Sequence, residues 1–423
     1  MDASDQSAAQ QCAAAKAAAP ALARASRELK DAALMELAES LERRSAEILA
    51  ANALDLAAGE EAGLSDALLD RLRLDRSRIS AIADGAREVA RLDDPVGELL
   101  EERELDNGLH LQVLRAALGV VAVVYEARPN VTIDAAGLCI KSGNACVLRG
   151  SATAERTNAV LASVARDAVV AAGLPAAAVT LVGGGREQLA ELATQKGIVD
   201  LIIPRGGEGL KAALEAVATV PVLYAASGNC HVYVDRSADL ADAVAIAVNS
   251  KVQRPGVCNA AETLLVHRDV AASFIPLVAR ELLAAGVELR VDEAVRGFAG
   301  PELAGQLVDA VEADWETEFL DLIMAVRVVD SLEQAIEHIA LYGSGHSEAI
   351  VTADEAAADE FRHGVDAACI YVNASTRFTD GAVFGMGSEI GISTQKLHAR
   401  GPIGLRELCT IKYVVTGDGH VRA

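Results

Sequence analysis

Aromatic side chains are scarce in this 423-residue chain: Phe, Trp and Tyr together make up 3%, with a single Trp. Rings cannot fill the interior, so Ala, Val, Leu and Ile must do so. Positive charge is short too, with 38 Lys and Arg against 61 Asp and Glu, a net charge of −23 and a pI near 4.8. That argues against a nucleic-acid partner, because phosphate backbones are bound by a basic face. A small anionic substrate stays compatible, since a few Arg and Lys reverse the field inside one cleft. No apolar run reaches the ~20 uninterrupted residues that span a bilayer. The most apolar stretches are broken by Arg115 and Glu126, or by Arg166 and Asp167. The N-terminus, MDASDQSAAQ, has neither a basic n-region nor an apolar h-region, hence no signal peptide. The expectation is a cytoplasmic protein with no membrane partner. The seven cysteines (12, 139, 146, 230, 258, 369, 409) are odd in number and contain no CxxC pair. Neither a disulfide framework nor a metal site follows from them.

What is present is aliphatic bulk. Hydrophobic residues make up 52% of the chain, enough for a large core in two or three domains of roughly 100–200 residues each. Residues 6–94 carry apolar side chains at three- and four-residue spacing and predict successive amphipathic helices, one of them starting at Ser65 and Asp66. Asp106-Asn107-Gly108, between two strand-like arms in 99–116, predicts a hairpin. From residue 118, strands and helices alternate: LGVVAVVYEA, ACVLRG, AVTLVGGG, VDLIIPRGG and VPVLYAASGN read as strands, with helical segments between several of them. This βαβ series predicts a parallel sheet covered by helices, with ligands at the C-terminal strand ends. HVYVDRSADLADAVAIAVNSK reads as a connection to Cys258, and a second α/β segment runs to about 373. The tail LCTIKYVVTGDGHVRA returns to strand character and is suited to pair with the hairpin as an arm whose edges another subunit could complete.

Several residues are candidates for chemistry. Cys258 follows Arg254-Pro255-Gly256 in KVQRPGVCNAAETLLVH, a tight non-helical approach to a strand. It is either a buried packing cysteine or an exposed nucleophile with Arg254 favouring its thiolate. Gly183-Gly184-Gly185 and Gly206-Gly207 lie between strands and helices, where backbone N–H groups can meet a pyrophosphate, or where a plain turn needs glycine. Arg149 and Arg205 end strands and either hold phosphate or face solvent. LYGSGHSEAIV (341–351) is a polar patch in an apolar region. Residues 372–404 form a polar, glycine-rich stretch with Arg377, Lys396 and Arg400, and such a length is more often functional than filler. His398 reads as a hydrogen-bonded structural side chain before it reads as a base.

Together, YEARPNVTIDAAGLCIKSGNACVLRG, DLIIPRGGEGL, GNCHVYVD, VQRPGVCNAAETLLVH, LYGSGHSEAIVT and VNASTRFTDGAVFGMGSEIGISTQKLHARGPIGL resemble the γ-glutamyl phosphate reductase (glutamate-5-semialdehyde dehydrogenase) family of the aldehyde dehydrogenase superfamily. The resemblance runs from about residue 10 to the C-terminus. It implies an α/β, aldehyde dehydrogenase-like fold: a Rossmann-like NADP(H)-binding domain (1–98 and 117–234), an α/β catalytic domain carrying Cys258 (235–400), and a β arm for oligomerisation (99–116 and 405–423). It implies NADPH-dependent reduction of L-glutamyl 5-phosphate to L-glutamate 5-semialdehyde with release of phosphate, through a cysteine thioester, the second step of proline biosynthesis. Cys258 then matches the nucleophile, and Asn130, with the Cys258 backbone N–H, the donors to the acyl oxygen.

The same resemblance places the cofactor against Arg149, Gly206, Gly207 and Glu318. Ala152, where relatives keep an acid, leaves room for the 2′-phosphate of NADP(H). For the substrate it suggests Ser375 and Arg377 at the α-carboxylate, and Lys141 and Arg254 at the leaving phosphate. A homo-oligomer and association with a separate glutamate 5-kinase are further expectations. Hydrolytic relatives keep a water-activating glutamate that SGNCHVYVD (227–235) does not supply before its glycine, which argues against the rival reading of a hydrolytic aldehyde dehydrogenase. Retention of Cys258 and Asn130 argues against a non-catalytic, nucleotide-binding regulator.

Overall fold

A computed structural model describes residues 7–224 and 227–422. The chain opens in helices Ala8–Ala23, Arg27–Arg43, Ser45–Glu61, Asp66–Leu72 and Arg76–Arg91, as the apolar spacing predicts. The first begins in a capping box: Ser7 Oγ accepts from the Gln10 amide at 3.2 Å, and Gln10 Oε1 accepts from the Ser7 amide at 3.0 Å. Its alanines let it lie close to a sheet, and Ala8, Cys12, Ala15 and Ala19 share a core with Val120, Ala122 and Val124.

Strands β1 (Leu99–Glu104) and β2 (His110–Ala117) form the expected hairpin, with Gly108 at φ +81°, a left-handed value its turn requires. Strands β3 (Val120–Tyr125), β4 (Ala145–Arg149), β5 (Val179–Leu181) and β6 (Leu201–Arg205) make a parallel sheet in the order β5-β4-β3-β6. The chain winds outward from β3 to β5 and then returns to the far side of β3. The C-terminal ends of β3 and β6 therefore flank a topological switch point, where such sheets open a crevice.

Two expectations are corrected here. Residues 220–229 were expected as a further strand, yet only an isolated bridge joins Ile202 to Val222. Ile202 donates to Pro221 O and accepts from the Leu223 amide, both at 2.9 Å; Pro221 has no N–H with which to extend the ladder. Ala225 and Ala226 lie outside the described residues. The expected connection after 230 contains instead β7 (Cys230–Val234) and the helix Leu240–Val252. β7 belongs to the second sheet, not the first.

That sheet combines β7 with β8 (Ala261–His267), β9 (Glu288–Val291), β10 (Val308–Asp309), β11 (Ile323–Val329), β12 (Ser347–Val351) and β13 (Cys369–Val372), all parallel, in the order β10-β9-β11-β8-β7-β12-β13. Both faces are covered, so its central strands β8, β7 and β12 are buried along their whole length. Val232, Val234, Leu264 and Val266 share a core with helices Leu240–Val252 and Arg268–Ala284. The alternate residues Tyr233 and Leu265 pack with Leu332–Tyr342 and Glu355–Gly364. Short strands β14 (Ile392–Ser393) and β15 (Gly401–Pro402) pair antiparallel. Finally β16 (Cys409–Thr416) pairs along β2, completing the three-stranded arm β1-β2-β16.

The chain divides into two compact units: Met1–Ala225, Gly385–Gly391 and Ile403–Ala423 in one, Ala226–Phe384 and Ile392–Pro402 in the other. The arm falls within the first. Among the described residues, no helix is long and apolar enough to cross a membrane.

Candidate active site

In the second unit, Cys258 occupies the loop between helix Leu240–Val252 and β8. The six other cysteines are buried; Cys258 is half-exposed. Strand pairing fixes this loop from beside it. β7 and β8 align Cys230 with Ala261, which carries residue 228 next to residue 258. A Cβ on Gly228 would stand 1.4 Å from the carbonyl oxygen of Cys258, so only glycine fits. The Cys230 thiol donates to that same carbonyl at 3.2 Å. The Gly228 amide donates to Glu318 Oε1 at 2.7 Å, which ties the expected cofactor-binding glutamate to the backbone seat of Cys258.

A buried ion pair supports the Glu318 segment. Lys251 Nζ donates to Glu262 Oε2 at 2.5 Å and to Asp321 O at 3.0 Å. Burial raises the Glu262 carboxyl to about 7 and lowers the Lys251 amine. Glu262 Oε1 accepts from the Leu320 amide at 3.3 Å. Leu320 has φ +54°, a left-handed conformation that costs a non-glycine residue about 1–2 kcal/mol. The polar patch at 341–351 is explained likewise: Glu348, fully buried on β12, accepts from the His231 amide at 2.7 Å and lies 3.0 Å from His231 Nδ1. It is a tie between strands β12 and β7.

One arginine, Arg377, lies electrostatically close to Cys258, and Arg254 lies electrostatically close to Arg377. Burial, and then the like charge of Arg254, pull the Arg377 guanidinium below its ordinary range, while Cys258 acts in the opposite direction. Arg377 Nε donates to Gln253 Oε1 at 2.9 Å. Asn259 locks this turn to the loop: its Nδ2 donates to Thr379 O at 2.8 Å, and its carbonyl accepts from Thr376 Oγ1 at 2.7 Å. Positive charge here favours both a thiolate and an anionic substrate. Ser375 departs from expectation. It is buried, its hydroxyl meets Ser250 Oγ at 2.9 Å, and it accepts from the Arg377 amide at 3.2 Å, so it shapes the turn and is not open to a substrate carboxylate. His398 is exposed.

In the first unit, Asn130 opens the helix Asn130–Lys141, and its Nδ2 donates to Asp134 Oδ2 at 2.9 Å. Arg149, at the end of β4, donates from Nη2 to the carbonyls of Gly185 (2.7 Å) and Gly184 (3.3 Å). Gly206 and Gly207 are exposed after β6, at the switch point. A Cβ on Gly206 would come within 2.7 Å of Glu126 Cδ, and the Gly207 amide donates to Glu126 Oε2 at 3.2 Å. A loop at the switch point that takes a carboxylate oxygen on a backbone N–H fits a phosphate of a dinucleotide.

Lys141 corrects another expectation. It is fully buried at the C-terminus of that helix, paired with Asp31, and donates to Ala90 O at 2.8 Å. Helix periodicity turns it into the interior, away from any leaving phosphate. Gly228 and Asp134 went unremarked in the sequence. The i, i+4 spacing of Asn130 and Asp134 was a usable signal; the clearance at Gly228 depends on strand register and had none.

The aldehyde dehydrogenase family model matches residues 1–313. The γ-glutamyl phosphate reductase of Thermobifida fusca is 53% identical over 409 residues, covering 96% of this chain and 97% of its own. That of Syntrophomonas wolfei is 52% identical over 409 residues, covering 96% of both. The crystal structure of γ-glutamyl phosphate reductase from Thermotoga maritima superposes with a TM-score of 0.96 at 43% identity, covering 99% of this chain and 100% of that one.

Two outcomes are expected. Gly228→Ala displaces the Cys258 carbonyl, so turnover falls at least about 100-fold, comparable to losing a placed reacting group, while circular dichroism stays native. Lys141→Met removes one member of a part-buried pair whose Asp31 keeps Arg27 at 3.5 Å, and lowers unfolding stability by about 1–3 kcal/mol, read by urea denaturation, with the KM of the acyl substrate unchanged.

Proposed function

Because the chain belongs to the γ-glutamyl phosphate reductase family of aldehyde dehydrogenases, we propose that it reduces L-glutamyl 5-phosphate to L-glutamate 5-semialdehyde with NADPH, releasing phosphate, in the second step of proline biosynthesis. The observation that carries this reading is the Cys258 loop: the one cysteine of the seven that is not fully buried, its carbonyl clamped by Gly228 and Cys230.

The Cys258 thiolate attacks the acyl carbon. The bond from that carbon to the phosphate oxygen breaks, phosphate leaves with the electron pair, and a thioester remains on Sγ. Negative charge gathers on the acyl oxygen, and the Cys258 N–H and the Asn130 side-chain amide are the donors assigned to it. NADPH, when bound, supplies the hydride that converts the thioester to the aldehyde. Collapse to the aldehyde returns Sγ as thiolate. Arg149 is assigned to the 2′-phosphate, Gly206 and Gly207 to the pyrophosphate, and Glu318 to the nicotinamide ribose. Arg377 is assigned to the substrate α-carboxylate and Arg254 to the leaving phosphate, roles suited to guanidinium groups.

Water is a poor rival to phosphate in this reading. The carboxylate within 227–235, Asp235, is buried and accepts from Ser237 N (3.1 Å), Ser237 Oγ (2.8 Å) and Thr352 Oγ1 (2.9 Å). Those bonds help hold it ionised, and none leaves it aimed at a thioester. The enzyme is read as cytoplasmic and homo-oligomeric through its β arm. Association with glutamate 5-kinase would shelter the labile acyl phosphate.

The test follows NADPH absorbance with glutamate semialdehyde and NADP⁺, with and without phosphate, for the wild type and Cys258→Ala. Phosphate-dependent signal that drops by at least about 10⁴-fold in the variant, as for loss of a covalent nucleophile, is expected. Equal rates without phosphate would replace this reading with hydrolytic aldehyde oxidation.

A further inference from the structure

Asn130 can serve an oxyanion only if its amide points the right way. A primary amide presents two N–H donors on one side and a carbonyl acceptor on the other, and the two sides have nearly the same shape. An amide turned by half a rotation would place its oxygen where negative charge gathers, replacing attraction by repulsion. Something must choose between the orientations.

The helix supplies the choice. Asn130 and Asp134 are one turn apart on Asn130–Lys141, and Nδ2 of Asn130 donates to Oδ2 of Asp134 at 2.9 Å. An ionised carboxylate only accepts, so it can bind the NH₂ side of the amide and not the oxygen side. One N–H is spent on Asp134, and the second keeps its donor character. We propose that Asp134 is a positioning residue of the acyl-transfer step, holding the Asn130 amide with its remaining N–H toward the acyl oxygen. This rests on the reading of Asn130 as an oxyanion donor.

Two further observations support it. Asp134 is drawn up to about 6 by burial, opposed by its bond to Asn130 and by the charge of Arg205, so at pH 7.5 it remains mostly ionised and acceptor-only. Asp134 is half-buried on this apolar helix, and its desolvation there carries a penalty that helix stability alone does not require.

The test measures kcat and KM in the NADPH-forming direction, and the melting temperature, for the wild type, Asn130→Ala, Asp134→Asn and the double variant. Asp134→Asn keeps size and shape but can donate as well as accept, so it no longer selects one orientation. Asn130→Ala is expected to lower kcat about 10²–10³-fold, as for an oxyanion donor. Asp134→Asn is expected to lower it about tenfold with both KM values within about twofold. The double variant should be no slower than Asn130→Ala, because a positioning residue has nothing left to position. Wild-type kcat in Asp134→Asn beside a slow Asn130→Ala overturns the proposal and spares the oxyanion reading. Multiplied losses in the double variant overturn it too, by giving Asp134 a separate role, as does a lowered melting temperature with kcat intact. Wild-type kcat in Asn130→Ala would sink the oxyanion reading and this proposal with it.

Discussion

The backbone contact between Gly228 and the carbonyl of Cys258 is the constraint on which the rest of the second unit's site depends. A Cβ at residue 228 would stand 1.4 Å from that oxygen, well inside any tolerable separation. The contact exists because parallel β7 and β8 run side by side, with Cys230 opposite Ala261 and an irregularity in register just after it. Both strands are buried, so their register is held by the core and cannot slip without turning apolar residues outward. The position of the thiol is thus set by the hydrophobic interior through two strand ends, and the Pro-Gly bend before Cys258 only needs to bring the chain there.

The same geometry explains where the polar groups went. Glu318 reaches the Gly228 amide, Glu262 reaches the Leu320 amide, and Lys251 compensates Glu262. Each buried charge answers a backbone donor or another charge, as an interior of low polarizability demands. The strained Leu320 lies two residues after Glu318 and donates its amide to Glu262. Its conformation is held by neighbours that also hold the Cys258 seat, which is where backbone strain persists in folded proteins.

Much of this architecture could be read in the sequence. Periodicity gave the N-terminal helices, Asp106-Asn107-Gly108 gave the hairpin, and the tail paired with it as β16. These are local signals, or a tail of strand-forming residues after a long helical and α/β region. The failures share a cause. VPVLYAASGN has the composition of a strand, but its pairing ends where Pro221 offers no N–H. HVYV looked like a connection because four residues carry too little pattern to show to which sheet they belong. Lys141 and Ser375 looked like anion ligands by residue type, and each is turned inward by its element, toward Asp31 and Ser250 respectively. Type and motif identify a chemistry; only orientation decides whether a ligand can use it.

Orientation also separates the two kinds of evidence for the reaction. Cys258 and Asn130 lie in different units, and each is prepared within its own. In one, strand register and a glycine fix the loop of a half-buried cysteine that lies electrostatically close to Arg377. In the other, a helix turn gives an amide a carboxylate partner four residues on. Neither arrangement needs substrate to form, so in the proposed reaction the cost of arranging these groups would fall on folding. A chain poor in aromatic residues and rich in small aliphatic ones suits this: closely packed helices and sheets leave side chains few alternative orientations.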